Sequence, residues 1–427
     1  MGILGIILGF GILLFGVWKR YNLILVTVVV SAIIGLTNGL GIIKAWQGPY
    51  VEGFAGFAAP FFLIFCFGAL FGKLMEDSGA MQRIGISILG VFGEKYAIFA
   101  YMLVTALMTY GGVNGFVVIF VLLPFARVLF AKGKIPWYLF PAATYTAMYP
   151  AVGMLPGSLQ TQNIIPTKYL GTTLMAAPLL GIIISVLYYA VAVSYIWYSV
   201  NAGRKNPDAL DFSVPLKESD QALSNAEDLP GFGISILPIV VALISINVLK
   251  IQIVYGMILA CLACLGLFWN RYEKKLDTLN AGISNGVMPT ILVSVVIGVA
   301  RVVAATPTFA AFKEWLVGIP VNGLMKLFVV TNSVAFITGS GSGAESTCLE
   351  LFSKYFLELG IHPEVIHKMA IISASGFDTM PWNSLVVLFL TMAGLNYKSS
   401  YKHIFVTCVL MTVAIGLITV FLAGLMY

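Results

Sequence analysis

Thr109-Tyr110-Gly111-Gly112-Val113-Asn114-Gly115 and Thr338-Gly339-Ser340-Gly341-Ser342-Gly343 are polar, glycine-rich breaks in otherwise apolar sequence, one in each half of the chain. A second pair follows them: Tyr149-Pro150 through Asn163, and Ser373-Ala374-Ser375-Gly376-Phe377-Asp378-Thr379-Met380-Pro381-Trp382-Asn383. A bilayer interior tolerates unwound backbone only where it is buried in protein or lines a watery cavity. Interrupted segments in corresponding places of two halves are the sequence mark of a transporter's substrate site. These breaks therefore carry the reading of both fold and function class.

The rest of the chain is what a membrane protein requires. Of 427 residues, 59% are hydrophobic and 10% charged, and mean hydropathy is +0.96. Soluble domains carry about 25% charged residues. Repeated apolar runs of roughly 20 residues predict an all-α polytopic membrane protein. The first run, Ile3 to Val17, leads into Trp18-Lys19-Arg20 without a small-residue cleavage site and reads as a retained span. The net charge of +6 is spread over short loops, which fits membrane topology and not a nucleic-acid surface. Cys66, Cys261, Cys264, Cys348 and Cys408 lie in apolar segments, and His362, His367 and His403 are scattered, so neither a metal site nor a cofactor is expected. No nucleophile–base pair, catalytic carboxylate pair or nucleotide-binding motif is visible, which argues against an enzyme and a primary pump.

Spans are predicted in the first half at 2–18, 22–43, 54–74 and 172–199, with short segments at 96–110 and 116–130 and a broken span at 137–165. The second half offers 231–249, 251–270, 281–304 and 403–426, short segments at 321–338 and 344–358, and a broken span at 364–394. The order of elements repeats at a nearly constant offset, so residues 1–200 and 231–427 read as two repeats joined by a polar linker at 201–230. Positive residues cluster at Lys19/Arg20, Lys73/Arg83, Lys132/Lys134, Arg204/Lys205, Arg271/Lys274/Lys275 and Lys398/Lys402. One topology puts all of these on the cytoplasmic side of a cell's inner membrane. It requires each pair of short segments to be a re-entrant hairpin. Segments of about 15 residues cover about 22 Å as helix, less than a hydrocarbon core of about 30 Å. The expectation is ten transmembrane helices plus two re-entrant hairpins, both termini outside, and two inverted-topology repeats.

Helices that resume after such breaks present free N–H groups and partial positive charge, and can hold an anion without an arginine. The residues placed at this substrate site are Gly111, Gly112, Asn114, Gly115, Pro156, Ser158, Ser340, Gly341, Ser342, Ser375, Thr379 and Asn383, with Gln162 and Asn163 as further amides. The competing reading of the small residues is close helix packing. Asp378, ionisable at mid-span, is a candidate for exchanging a coupling proton or for capping a helix. Glu345 is a second candidate proton carrier, or a complement to a helix dipole. Trp382 either walls the cavity or packs.

Phe71-Gly72-Lys73-Leu74-Met75-Glu76-Asp77-Ser78-Gly79-Ala80-Met81-Gln82-Arg83-Ile84 resembles a signature of the gluconate permease family, proton symporters for sugar acids and small hydroxy acids within a wider ion-transporter superfamily. Ile337 to Gly343 is similar to that family's TGSASGG break, and Ser375 to Asn383 to its SGGLDTLPHNG motif, with Trp382 standing where the family has histidine. The proline-rich first-half motif is altered to Pro150-Ala151-Val152-Gly153-Met154-Leu155-Pro156-Gly157-Ser158. The resemblance carries Ser340, Ser342, Asp378 and Asn383 over as site residues. It implies a homodimeric scaffold, an elevator-style motion, and proton symport of a small organic anion, a hydroxy- or sugar-acid monocarboxylate. Sodium coupling and a passive anion channel are the alternatives.

Overall fold

In hydrocarbon a backbone must bond to itself, and the apolar runs of this chain do so as helix. The computed structural model describes residues 2–19, 21–111, 113, 115–158, 160–215, 229–249 and 251–427, and no strand occurs among the described residues. Gly112, Asn114 and much of the expected linker lie outside the described residues.

The first half opens with α1 (Gly2–Trp18) and α2 (Leu23–Thr37). Asn22 starts α2 by accepting from the amides of Ile24 and Leu25 at 3.0 and 3.2 Å. A short α3 (Ile42–Ala45) passes through a π-turn containing Pro49 into the long α4 (Val51–Asp77). Gly79, at φ +77°, turns the chain into α5 (Ala80–Phe92). At Gly93, with φ +75°, the path bends by 106° into α6 (Ala97–Tyr110). The next helix, α7 (Gly115–Lys132), packs back on α6. An interrupted span follows, made of α8 (Phe140–Tyr149), a π-turn over 150–154, and α9 (Thr161–Leu170). Helix α10 (Pro178–Gly203) closes the half.

The second half contains α11 (Phe232–Leu243), α12 (Ile253–Phe268), α13 (Lys275–Ser284), α14 (Val287–Ala304) and α15 (Pro307–Val317). A hairpin of α16 (Gly323–Thr338) and α17 (Gly341–Glu358) comes next, then an interrupted span of α18 (Pro363–Gly376) and α19 (Ser384–Ala393). The chain ends in α20 (Tyr397–Ile404) and α21 (Met411–Met426), continuous through a π stretch. Local caps set these boundaries: Asn322, Ser340, Asn383 and Asn396 accept from the amides of Met325, Gly343, Val386 and Lys398. Each bond relieves an amide that the first helical turn leaves without a partner. From α4 and from α14 the same order runs: long helix, short helix, two-armed hairpin, interrupted span, closing helix.

Among the described residues, six helical stretches are long and apolar enough to cross a bilayer, including Ile42–Asp77, Gly115–Lys132 and Lys275–Ala304. Helices α1, α2, α11, α16 and α19 are apolar but shorter. The second hairpin arms are longer than the sequence spacing suggests. Helices α7 and α17 have 18 residues each, about 27 Å at the helical rise, because α17 takes in Gly341, Ser342 and Gly343 of its break and α7 runs from Gly115 on to Lys132. Only the first arms, of 14 and 16 residues, are short.

Helix α4 is the spine, packed against α7, α12, α13 and α14. Small residues let it come close. A Cβ added at Gly286 would lie 2.5 Å from the Phe65 carbonyl oxygen, and one at Gly282 would lie 2.6 Å from Leu70. A Cβ at Gly72 would lie 2.6 Å from the Phe120 carbonyl oxygen. Along this seam the small-residue reading of the sequence is the correct one. Gly286→Ala is expected to destabilise the protein by about 1–3 kcal/mol through overpacking against backbone. Gly90→Ala, where nothing lies within 4 Å of the new Cβ, is the neutral control. Thermal unfolding in detergent checks this; equal melting temperatures would refute the seam as the limiting contact.

Candidate functional site

Each hairpin tip is bound to the interrupted span of its own half by a side-chain amide. In the first half, Gln160 Nε2 donates to the carbonyls of Thr109 and Val113, both at 2.7 Å. In the second, Asn383 Nδ2 donates to the Gly339 carbonyl at 2.8 Å and to Asp378 Oδ1 at 2.9 Å. Both residues immediately precede the resumed helix, α9 or α19. The second tip has one more tie: Asp378 Oδ1 accepts from the Gly341 amide at 2.6 Å. An amide at a helix start carries partial positive charge, so this bond holds a carboxylate against the beginning of α17.

Four helices begin around one cavity of about 240 Å³. Gly115 and Phe116 open α7, Thr161 opens α9, Gly341 and Ser342 open α17, and Leu385 lies in the first turn of α19. Tyr145, Tyr149, Gln162, Ser375 and Asp378 also line it. Among the described residues, no lysine or arginine does. The Tyr145 hydroxyl is buried and has no hydrogen-bond partner, at 2% exposure of the residue. An unpartnered donor on a residue that lines a cavity ringed by helix N-termini suits a negatively charged or hydroxylated guest. A wider groove of about 940 Å³ lies between α1, α15 and α16, but its wall is largely apolar and offers no comparable donors.

The residues singled out in the sequence divide into three groups. Gly115, Gly341, Ser342, Ser375 and Asp378 line the cavity. Ser340, Thr379 and Asn383 build its frame. Ser340 Oγ accepts from the Gly343 amide, and Thr379 Oγ1 accepts from the Tyr149 hydroxyl at 3.3 Å. The third group lies elsewhere. Gly111 caps α6. The Pro156 carbonyl accepts from the Tyr110 hydroxyl on the wall of a separate apolar pocket. The Ser158 hydroxyl is spent on the Ala151 carbonyl at 2.6 Å, bracing the break. Gly112 and Asn114 lie outside the described residues. Trp382 packs rather than walls: it stacks on Phe10 at 4.6 Å and donates to the Phe336 carbonyl.

Glu345 is fully buried one turn into α17, and neither carboxylate oxygen has a hydrogen-bond partner. Four side chains here escape sequence reasoning. Gln160 is not a common cap residue, Tyr145 sits in an unremarkable apolar run, and His367 and Lys368 lie near a span end. Lys368 is nonetheless fully buried and donates to the Gly153 carbonyl at 2.7 Å. His367 bridges Thr172 and Asn163, at 2.7 and 3.0 Å. The available signal was an ionisable pair inside a segment otherwise apolar enough for a bilayer.

The family model for GntP family permeases matches residues 1–255. The chain is 27% identical to the uncharacterized transporter YxjC of Bacillus subtilis (strain 168), over 97% of each protein. It is 24% identical to a high-affinity gluconate transporter of Escherichia coli (strain K12), over 58% of this chain and 53% of that one. Among solved structures, the YdaH transporter of Alcanivorax borkumensis is similar with a TM-score of 0.45 and 14% identity, covering 90% of this chain and 88% of that one. The family match spans more than half of the sequence, and the chain belongs to the GntP permease family: it is a polytopic membrane transporter and not an enzyme.

Proposed function

We propose that this protein is a secondary active transporter that imports a small monocarboxylate, a sugar acid or hydroxy acid, together with protons. One observation carries the reading: four half-helix N-termini and the unpartnered Tyr145 hydroxyl surround a single small cavity with no cation in its wall. Helix dipoles and N–H groups can hold a carboxylate there, and Tyr145, Ser342, Ser375 and Gln162 can read its hydroxyls. The cavity lies below the usual range of about 300–1,000 Å³ for drug-sized ligands, which favours a small acid. The gluconate transporter among the relatives supports a sugar acid as the class. Asp378 and Glu345 are the two carboxyls in reach of a coupling proton.

In this reading, residues 1–200 and 231–427 are oppositely inserted modules of five spans and one hairpin each, with the linker in the cytoplasm, in the inner membrane. The packing supports it. Helix α9 of the first half packs on α17 of the second, and α19 of the second packs on α7 of the first. Gln160 and Asn383 hold the same station in each half. A homodimer with an elevator-style motion completes the proposal.

Proteoliposomes with an acidic exterior are expected to accumulate D-gluconate or another acid from a panel of small hydroxy monocarboxylates. One proton per monoanion supports up to about tenfold accumulation per pH unit. Uptake that follows a sodium gradient and ignores pH would replace the proton with sodium. Uptake that stops at equilibrium under both gradients would identify a passive channel. Tyr145→Phe is expected to raise KM for the transported acid by about tenfold, the loss of one buried hydrogen bond to a charged group. An unchanged KM would remove Tyr145 from the site.

A further inference from the structure

Behind the cavity, two charged side chains lie on different helices with no exposure at all: Glu345 on α17 and Lys368 on α18. An ionisable group at such depth is costly and stays only with a partner or a task. Lys368 is held. Its ammonium donates to the Gly153 carbonyl, inside the break of the other half's interrupted span. Residue 181 on α10 is glycine where the same break comes close: a Cβ there would lie 2.4 Å from the Met154 carbonyl oxygen and 3.2 Å from Lys368 Cε. Glu345 is not held, because both of its oxygens lack a hydrogen-bond partner.

Their surroundings narrow the exchange to these two groups. Helices α17 and α18 pack on each other, which brings the two charges into one buried interior; Glu364 is the carboxyl on α18 itself. Glu364 is already committed, accepting from the Ala177 amide at 2.8 Å. His367, the neighbour on α18, is engaged at both ring nitrogens. The other titratable groups around the pair are exposed or engaged: α9 carries an exposed Lys168 and Tyr169 paired with Ser346, α16 carries Lys326 bonded to Tyr355, Cys348 on α17 accepts from Thr331, the 405–410 stretch carries Cys408 paired with Thr407, and α21 has no titratable side chain. Asp378 is in the opposite condition to Glu345. Its Oδ1 already accepts two N–H bonds that fix the tip of the second hairpin.

We propose that Glu345, coupled through space to Lys368, is the carboxyl that binds the transported proton, and that Asp378 is a positioning residue. This rests on the symport reading above and names its coupling site. The charges balance. Ionised Glu345 and Lys368 sum to zero, and a proton on Glu345 leaves one positive charge. A monocarboxylate entering the cavity at the head of the same helix cancels it. One proton then moves with one monoanion, and each raises the affinity for the other by the same factor. Lys368 also touches the break that leads to Gln160 and the first tip, so both halves feel the charge of the pair.

The test uses the full-length protein in proteoliposomes, with D-gluconate or whichever panel acid the wild type accumulates. Glu345→Gln and Lys368→Met are expected to keep counterflow at equal pH and to lose accumulation under a pH gradient, ending at equilibrium. In the wild type, KM for counterflow should rise toward tenfold per pH unit on the alkaline side, and it should be flat in Glu345→Gln. Asp378→Asn should lower counterflow and accumulation together. Gradient-driven accumulation by Glu345→Gln at the wild-type level overturns the assignment, as does Asp378→Asn that exchanges normally but no longer accumulates. If Lys368→Met loses both activities, the double variant Glu345→Gln/Lys368→Met decides. Exchange without accumulation supports the pair, and loss of both marks it as structural. A wild type that never responds to pH defeats the symport reading itself, an outcome separate from all of these.

Discussion

Two buried amide side chains, Gln160 and Asn383, bind the interrupted backbone of the two hairpin tips. An unwound turn in hydrocarbon strands carbonyl and N–H groups, each worth several kcal/mol if left unpaired. Gln160 takes two such carbonyls at the first tip, and Asn383 takes one at the second while also capping α19. With the tips fixed, the helices that follow them begin at defined points. The cavity is the space those beginnings enclose.

Glycine serves two different ends in this fold. At Gly72, Gly282 and Gly286 it lets backbone meet backbone or side chain along α4, and a methyl group would have no room. At Gly341 its task is access: an added Cβ would lie 3.0 Å from the Asp378 carboxyl, so the missing side chain is what allows that carboxyl to reach the helix amide. Glycine thus serves close packing along α4 and the approach of a carboxyl to a helix start at the second tip.

The breaks, the order of the elements and several of the cavity residues were legible in the sequence because their signals are local. Glycine and serine runs end helices, and Asn322, Ser340, Asn383 and Asn396 start them within a few residues of where they stand. What stayed hidden depends on contacts across the fold. Nothing in the run Ala142 to Met148 says that Tyr145 lacks a partner, since that follows from what α8 faces. Lys368 reads as a span-end lysine until the Gly153 carbonyl is brought to it from 215 positions away. Ser158 reads as a binding hydroxyl until its bond to Ala151 is seen. Trp382 stands where related motifs carry histidine, and it is explained by Phe10 of α1, which supplies the face it stacks on.

If the cavity holds an anion as proposed, the lack of lysine and arginine among the described residues of its wall suits a carrier. A fixed cation at contact distance would bind a carboxylate tightly and release it slowly, and transport needs entry and exit to be comparably easy. Helix ends supply roughly half a charge each and cannot be discharged, so they set a moderate, constant attraction. The adjustable part must come from a group whose charge can change. The buried Arg127 is already tied to Glu76 at 3.2 Å, away from the cavity wall. In the proposed reading Glu345, which has no bond of its own, is the group whose charge rises and falls with the proton while the frame of the cavity stays as it is.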